Sequence, residues 1–233
     1  MKAPITRQTF LQKQSMSVDL VEYIKQQILD GQLNPGDRIV ETKFAKELGI
    51  SQTPVREAIR LLSGEGIITI LPNKGPMVRT FDMKDIYEVY SLRSVLEGLA
   101  MRLAVQLATD SQIDALVEHF EEMKRKLEDD TVDSLLQESS FIHQSIIWLS
   151  SQSRLSASYD SITFHIALAA RMLGKVSTKI KEVEQHAELI EALVRRDPNH
   201  AEKVMRQHIF RSFNEFRELP ETKDWSCDDI NWL

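Results

Sequence analysis

The stretch Gly49-Ile50-Ser51-Gln52-Thr53-Pro54-Val55-Arg56-Glu57-Ala58-Ile59-Arg60-Leu61-Leu62 decides how this chain begins to fold. Gly49 stops the helix that precedes it, Ile50 enters the core, and Ser51 is placed to act as an N-cap whose side chain accepts a hydrogen bond from a free backbone N–H. Beyond it Val55, Ala58, Ile59 and Leu62 recur at helical spacing and form one apolar face. Gln52, Thr53, Arg56 and Arg60 lie on or near the opposite face, directed at solvent or at a ligand of the opposite charge.

Working outward, Leu20, Val21, Ile24 and Ile28 predict an amphipathic helix from Ser17 that ends near Gly31. Asn34-Pro35-Gly36-Asp37 predicts a turn, and Phe44, Ala45 and Leu48 a short second helix over Glu41 to Leu48. After Gly64 and Gly66, the β-branched run Ile67-Ile68-Thr69-Ile70 reads as a strand, Pro72-Asn73-Lys74-Gly75 as a turn, and Met77-Val78-Arg79 as the returning strand. Helix, helix, glycine turn, helix and hairpin are the parts of a winged helix-turn-helix, whose third helix enters the DNA major groove. In that setting Arg56 forks onto a guanine or a phosphate, and Gln52 bonds an adenine edge. The hairpin tip carries Lys74 between Asn73 and Gly75, residues that tolerate unusual backbone angles and so allow close approach to a groove. Thr42 and Lys43, opening the second helix, complete the candidate DNA-facing set.

Charge supports this division of labour. The whole chain carries −6, yet residues 1–80 hold 11 Lys and Arg against 8 Asp and Glu, while residues 81–233 hold 18 against 27. Cations bind DNA by releasing counterions from the phosphate backbone, so only the amino-terminal third suits nucleic acid.

From Asp82 onward strand signals vanish. Asp82-Met83-Lys84-Asp85 is a variant capping box, Asp standing in for both Ser and Glu. The periodicity predicts about six helices, near 82–108, 111–128, 132–150, 154–173, 177–196 and 198–218, with Ser111, Ser153 and Pro198 marking starts. The expected organisation is a DNA-binding domain over 1–80 and an all-helical domain for effector binding and dimerisation over 81–233. The polar tail with Trp225, Trp232 and Leu233 either docks or stays free.

Three histidines fall on inward faces of three different helices: His143 with Leu136, Ile146 and Ile147; His186 with Val183, Ile190 and Leu193; His208 with Ala201, Val204 and Met205. Facing helices of a bundle can bring such imidazoles together, and neutral imidazole suits Zn, Ni or Fe. A lone buried histidine is more often a hydrogen-bonded core residue. His165, near Ile162 and Leu168, also faces inward, and Arg93 is a candidate partner for a carboxylate unless it simply pairs with Glu97 one turn away.

Other classes are disfavoured. No apolar run approaches the roughly 20 residues that span a bilayer, and no secretory signal follows the mildly basic start, so no membrane partner and a cytoplasmic location are expected. Cys227 has no second cysteine to pair with and reads as an incidental thiol. No HExxH pair or nucleophile–base spacing argues for an enzyme.

The segment from Gly31 to Asp37 together with Ser51 to Ile59, above all Thr53-Pro54-Val55-Arg56-Glu57-Ala58, resembles the DNA-binding domain of the GntR family of transcription regulators. Tyr90-Ser91-Leu92-Arg93-Ser94-Val95-Leu96-Glu97 resembles the opening helix of the FCD effector domain of its FadR subfamily. The resemblance implies a mainly α protein, a winged helix-turn-helix followed by an antiparallel helical bundle. It implies DNA contacts from Ser51, Thr53 and Arg56, and a wing tip of Asn73, Lys74 and Gly75. A homodimer on a two-fold double-stranded operator is implied, acting as a repressor controlled by a small carboxylate effector. In the bundle it implies a divalent metal held by one Asp and three His, here His143, His186 and His208. The chain departs from the family at Gln52 and Thr42, where Arg is common, and at Ser139, where the acidic ligand belongs. Glu138 as a substitute, three histidines completed by water or ligand, and a metal-free cavity whose histidines bind an anion are the alternatives.

Overall fold

A computed structural model of the chain describes residues 7–125, 132–173, 178–217 and Leu219. Trp225, Cys227, Trp232 and Leu233 lie outside the described residues, as does the side chain of Leu136. The chain divides into two compact units, Met1–Phe81 and Asp82–Leu233.

The first unit contains α1 (Arg7–Leu29), α2 (Glu41–Glu47), α3 (Gln52–Gly64), β1 (Ile68–Leu71) and β2 (Gly75–Val78). Leu20, Val21, Ile24 and Ile28 are buried, as their spacing requires, but α1 begins at Arg7 rather than at Ser17. Both α1 and α2 pack on α3, whose buried face is Val55, Ala58, Ile59 and Leu62. Gly49 ends α2 at φ +66, letting the Ile50 N–H reach back to the Ala45 carbonyl at 2.9 Å while Gly49 bonds Lys46. This reversed pair satisfies the last free carbonyls, and α1 and α3 end in the same way. The turn it makes sets the angle between α2 and α3.

Two local expectations are corrected here. Ser51 holds the extended N-cap backbone of α3, φ −75 and ψ 159, yet its hydroxyl makes no capping bond. An N-cap side chain bonds the N–H of the second or third helical residue, and here the third is Pro54, which has none, so only the Thr53 N–H is on offer. The hairpin is also more than a hairpin. β1 and β2 pair antiparallel with Ile68 opposite Val78, and the segment before α2 adds a third edge, with Ile39 N–H on the Pro76 carbonyl and Val78 N–H on the Asp37 carbonyl, both at 2.9 Å. Arg38 thereby stands opposite Met77 at the base of the wing.

The second unit contains α4 (Met83–Leu107), α5 (Asp110–Arg125), α6 (Val132–Leu149), α7 (Ser153–Leu173), α8 (Lys179–Arg195) and α9 (Pro198–Arg217). The reciprocal capping box at Asp82 and Asp85 is present, the two bonds measuring 3.0 and 3.1 Å. Thr109 with Gln112 opens α5, so Ser111 is inside the helix and not its cap. Pro198 is the first residue of α9, with Asp197 accepting from the Asn199 and His200 N–H groups.

The bundle is organised around α4, which runs along α9 and also touches α6, α7 and α8. Gly98 makes the α4–α9 approach possible, because a Cβ there would stand 2.7 Å from the Arg206 side chain. Ile86, Tyr90 and Met101 from α4, Ile142 and Ile146 from α6, Leu189 from α8 and Met205, Ile209 and Phe216 from α9 fill the core. Tyr90 meets Phe216 edge to face with centroids 5.2 Å apart. Among the described residues no helix is long and apolar enough to cross a membrane.

Candidate functional site

In the first unit the polar face of α3 is open to solvent. Gln52, Thr53, Arg56 and Arg60 are all exposed, as are Ser51, Thr42 and Lys43 nearby in sequence. Arg56 donates from Nε to Glu41 Oε2 at 2.6 Å and from Nη2 to Gln52 Oε1 at 3.1 Å, while its side chain remains 57% exposed. The guanidinium is thus aimed outward and held across α2 and α3, not packed inside. Arg60 and Lys43 make only loose pairs with Glu57 and Glu47, at 3.9 and 4.0 Å. On the wing Asn73 takes φ +62 and Gly75 φ +78, with Lys74 exposed between them. The exposed Arg38, not singled out by sequence reasoning, brings its guanidinium toward Gly75. Only the edge pairing of residues 36–39 puts it there, so periodicity had no access to it.

In the second unit α6, α8 and α9 bring His143, His186 and His208 to one point. Each is at most 3% exposed, and their ligand nitrogens all lie within 4.8 Å of one another. The surroundings define which nitrogen faces inward. His143 Nδ1 lies 2.5 Å from Glu97 Oε2, and an ionised carboxylate only accepts, so Nδ1 carries the proton and Nε2 the lone pair. His186 Nδ1 donates to the Glu182 carbonyl at 2.7 Å, leaving its Nε2 likewise as an acceptor. The two Nε2 atoms then face each other at 3.2 Å.

Electrostatics keeps that arrangement. Burial alone would raise the carboxyl of Glu97, but the charge of Arg93 and the hydrogen bonds from His143 and Arg93 overcome it and hold the group down at about 2. Burial lowers His143, with Glu97 only partly offsetting it, and lowers His186 and His208 much further, the neighbouring imidazoles adding to the effect. The buried site therefore favours the neutral form of each ring. Two neutral acceptor nitrogens cannot hydrogen-bond each other. A cation is the partner their lone pairs fit, and the donor set of neutral imidazoles suits a borderline divalent ion.

Ser139 reaches the same place: its hydroxyl donates to His186 Nε2 at 3.2 Å. Glu138 is not part of the convergent group, nor is His165, which is half-buried on α7. Arg93 is buried and donates from Nε to Glu97 Oε1 at 2.5 Å, with its guanidinium carbon 5.3 Å from the centre of the Tyr90 ring. Sequence reasoning offered Arg93 as an effector contact, with Glu97 as its alternative partner, and missed the third member, His143, because it comes from another helix. It also missed Tyr159, which hydrogen-bonds Glu97 and whose hydroxyl is pushed up by burial and by that carboxylate.

Comparisons with known proteins agree with both halves. A family model described as bacterial regulatory proteins, gntR family, matches residues 17–78, and one described as FCD domain matches residues 88–211. The Nta operon transcriptional regulator of Aminobacter aminovorans is 32% identical over 185 residues, 79% of this chain and 87% of the relative. The gluconate operon transcriptional repressor of Bacillus subtilis (strain 168) is 23% identical over 218 residues, 91% of this chain and 88% of the relative. The solved structure of E. coli McbR/YncC superimposes with a TM-score of 0.69 at 22% identity, covering 86% of this chain and 98% of that one, a likeness of fold. With an outward recognition helix, a wing and a helical bundle each matched in turn, the chain belongs to the GntR family of bacterial transcription regulators, in the FCD-containing group to which the FadR subfamily belongs, and not to the enzymes.

Proposed function

We propose that this regulator is a homodimeric repressor whose affinity for a two-fold operator is set by a small carboxylate bound at a divalent metal on His143, His186 and His208. The observation that carries this reading is the pair of Nε2 lone pairs facing each other at 3.2 Å, each held in place by a proton donated from the far side of its ring. A divalent ion held there by His143, His186 and His208 would supply positive charge for an anionic oxygen of the effector. The chain's own residues supply the rest: Glu97 and the Glu182 carbonyl orient two imidazoles, and burial keeps water and protons away from them. The gluconate operon repressor among the relatives is named for a carboxylate and for repression, which favours that class of effector.

On DNA, Arg56 exchanges its exposed Glu41 partner for phosphate or guanine, while Thr53, Gln52 and Ser51 reach the same groove from the helix start. Thr42, Lys43 and Arg60 add backbone contacts, and Asn73, Lys74 and Gly75 form the wing contact. Ser51 suits this role because its exposed hydroxyl makes no capping bond. A DNA-bound regulator of this kind acts in the cytoplasm. Arg93 and His165 are the proposed effector contacts in the bundle, Arg93 through the part of its guanidinium not bonded to Glu97.

The test combines metal analysis of the purified protein, sedimentation and gel mobility shift on palindromic fragments, with and without a panel of small carboxylates. A metal near one equivalent per chain, a dimer, and a shift relieved by one carboxylate are expected. A protein that ignores every carboxylate with metal bound would end the effector part of the reading.

A further inference from the structure

Ser139 poses a specific problem for the site. Three neutral imidazoles around a divalent ion leave its full charge uncompensated in a buried, low-dielectric place, and serine contributes no charge. The carboxylate closest to the imidazoles in hydrogen-bonding terms is Glu97, on α4, fully buried and shared between Arg93 and His143. Its geometry excludes it from the ligand sphere, since one oxygen is taken by Arg93 Nε and the other by the outer nitrogen of His143. A carboxylate bonded to the outer N–H of a ligating imidazole fixes the ring and raises the electron density at the inner nitrogen.

We infer that Glu97 is a positioning residue for the metal: it holds His143 with Nε2 inward and supplies, through that ring, the negative charge that Ser139 does not. Arg93 in turn keeps Glu97 from swinging inward to become a ligand itself. The inference rests on the metal reading above and deepens it, since it names what replaces the acidic ligand in this chain. Tyr159, hydrogen-bonded to the same carboxylate, restrains it further.

The measurement is metal affinity of the full chain, stripped and then titrated with Co²⁺, read by visible absorption, or with Zn²⁺ in competition with a chromophoric chelator. Glu97→Gln alone leaves Arg93 as an unpaired buried charge and can unfold the bundle, so the informative variant is the neutral pair Arg93→Met with Glu97→Gln. Removing the Arg93 charge by itself favours a cation, so any loss belongs to Glu97. Affinity about 10- to 100-fold weaker than wild type is expected, the usual range for losing an outer-shell partner. Unchanged affinity and an unchanged Co²⁺ spectrum would overturn the inference while leaving the metal reading intact. A wild type that binds Co²⁺ and Zn²⁺ no better than the His143→Ala, His186→Ala, His208→Ala triple variant would remove both. A second readout needs no variant: nitrogen-15 spectra of the zinc-loaded wild type should show His143 bound through Nε2 with a protonated, strongly hydrogen-bonded Nδ1. Coordination through Nδ1 would equally overturn it.

Discussion

The two halves of the molecule each contain an arginine donating from Nε to a glutamate, at nearly the same distance and to opposite ends. Arg56 and Glu41 meet at 2.6 Å with side chains 57% and 30% exposed; Arg93 and Glu97 meet at 2.5 Å with side chains 7% and 0% exposed. In water an ion pair costs little to make and little to break, because either partner can turn to solvent or to another charge. Inside the bundle neither charge has an alternative, so breaking the pair strands a bare ion in low dielectric. The first pair is exposed, and in the function proposed above it exchanges its glutamate for phosphate. The second is buried, and through Glu97 it bonds one ring of the histidine cluster, His143.

The largest effect that would sharpen this contrast is expected from Glu97→Ala. Leaving Arg93 buried and unpaired should cost about 3–5 kcal/mol of folding stability by denaturant unfolding; a loss near that of a surface substitution would abolish the contrast. Next, Arg56→Ala should leave the unfolding midpoint in place but weaken operator binding by about 1–3 kcal/mol, roughly five- to 150-fold, in a mobility shift at fixed salt. Wild-type affinity in that variant would contradict the assignment of α3 as the reading helix. Between pair chemistry and local chemistry stands Asp82→Ala, which removes one half of the capping box at the start of α4 and should cost about 1 kcal/mol, measured by thermal unfolding. The smallest effect belongs to Glu41→Gln: a stability change below about 1 kcal/mol, with DNA affinity equal or tighter because Arg56 is released. Should Glu41→Gln destabilise the protein as much as Glu97→Ala, the exposed pair would be framework after all.

Much of the architecture was readable from periodicity. Val55, Ala58, Ile59 and Leu62 announce the inner face of α3, and the three histidines sit at inward positions of α6, α8 and α9. Glycine at the end of each of the first three helices, and the Asp82–Asp85 pair, are local signals that act within one turn of chain and were legible for that reason. Where reading went astray, the missing information was a neighbour. The expected Ser51 cap is absent, and Pro54 removes one of the two N–H groups it could have bonded, a detail present in the sequence but outweighed by the strong preference of serine for that position. The pairing of residues 36–39 with β2, and with it the placement of Arg38, depends on a strand nearly forty residues away.

By itself, then, the amino-acid order determined which faces are buried, where helices stop, where the basic character concentrates and that three imidazoles point inward. Those are consequences of local spacing and of the cost of leaving apolar surface in water. Tertiary structure alone decided that the three imidazoles converge, which nitrogen of His143 and of His186 faces in, and that Glu97 reaches across from α4 to fix the first of them. Such facts depend on helices brought side by side, α4 against α6 and α9, and a hydrogen bond between residues 46 positions apart leaves no period for a reader of the sequence to detect.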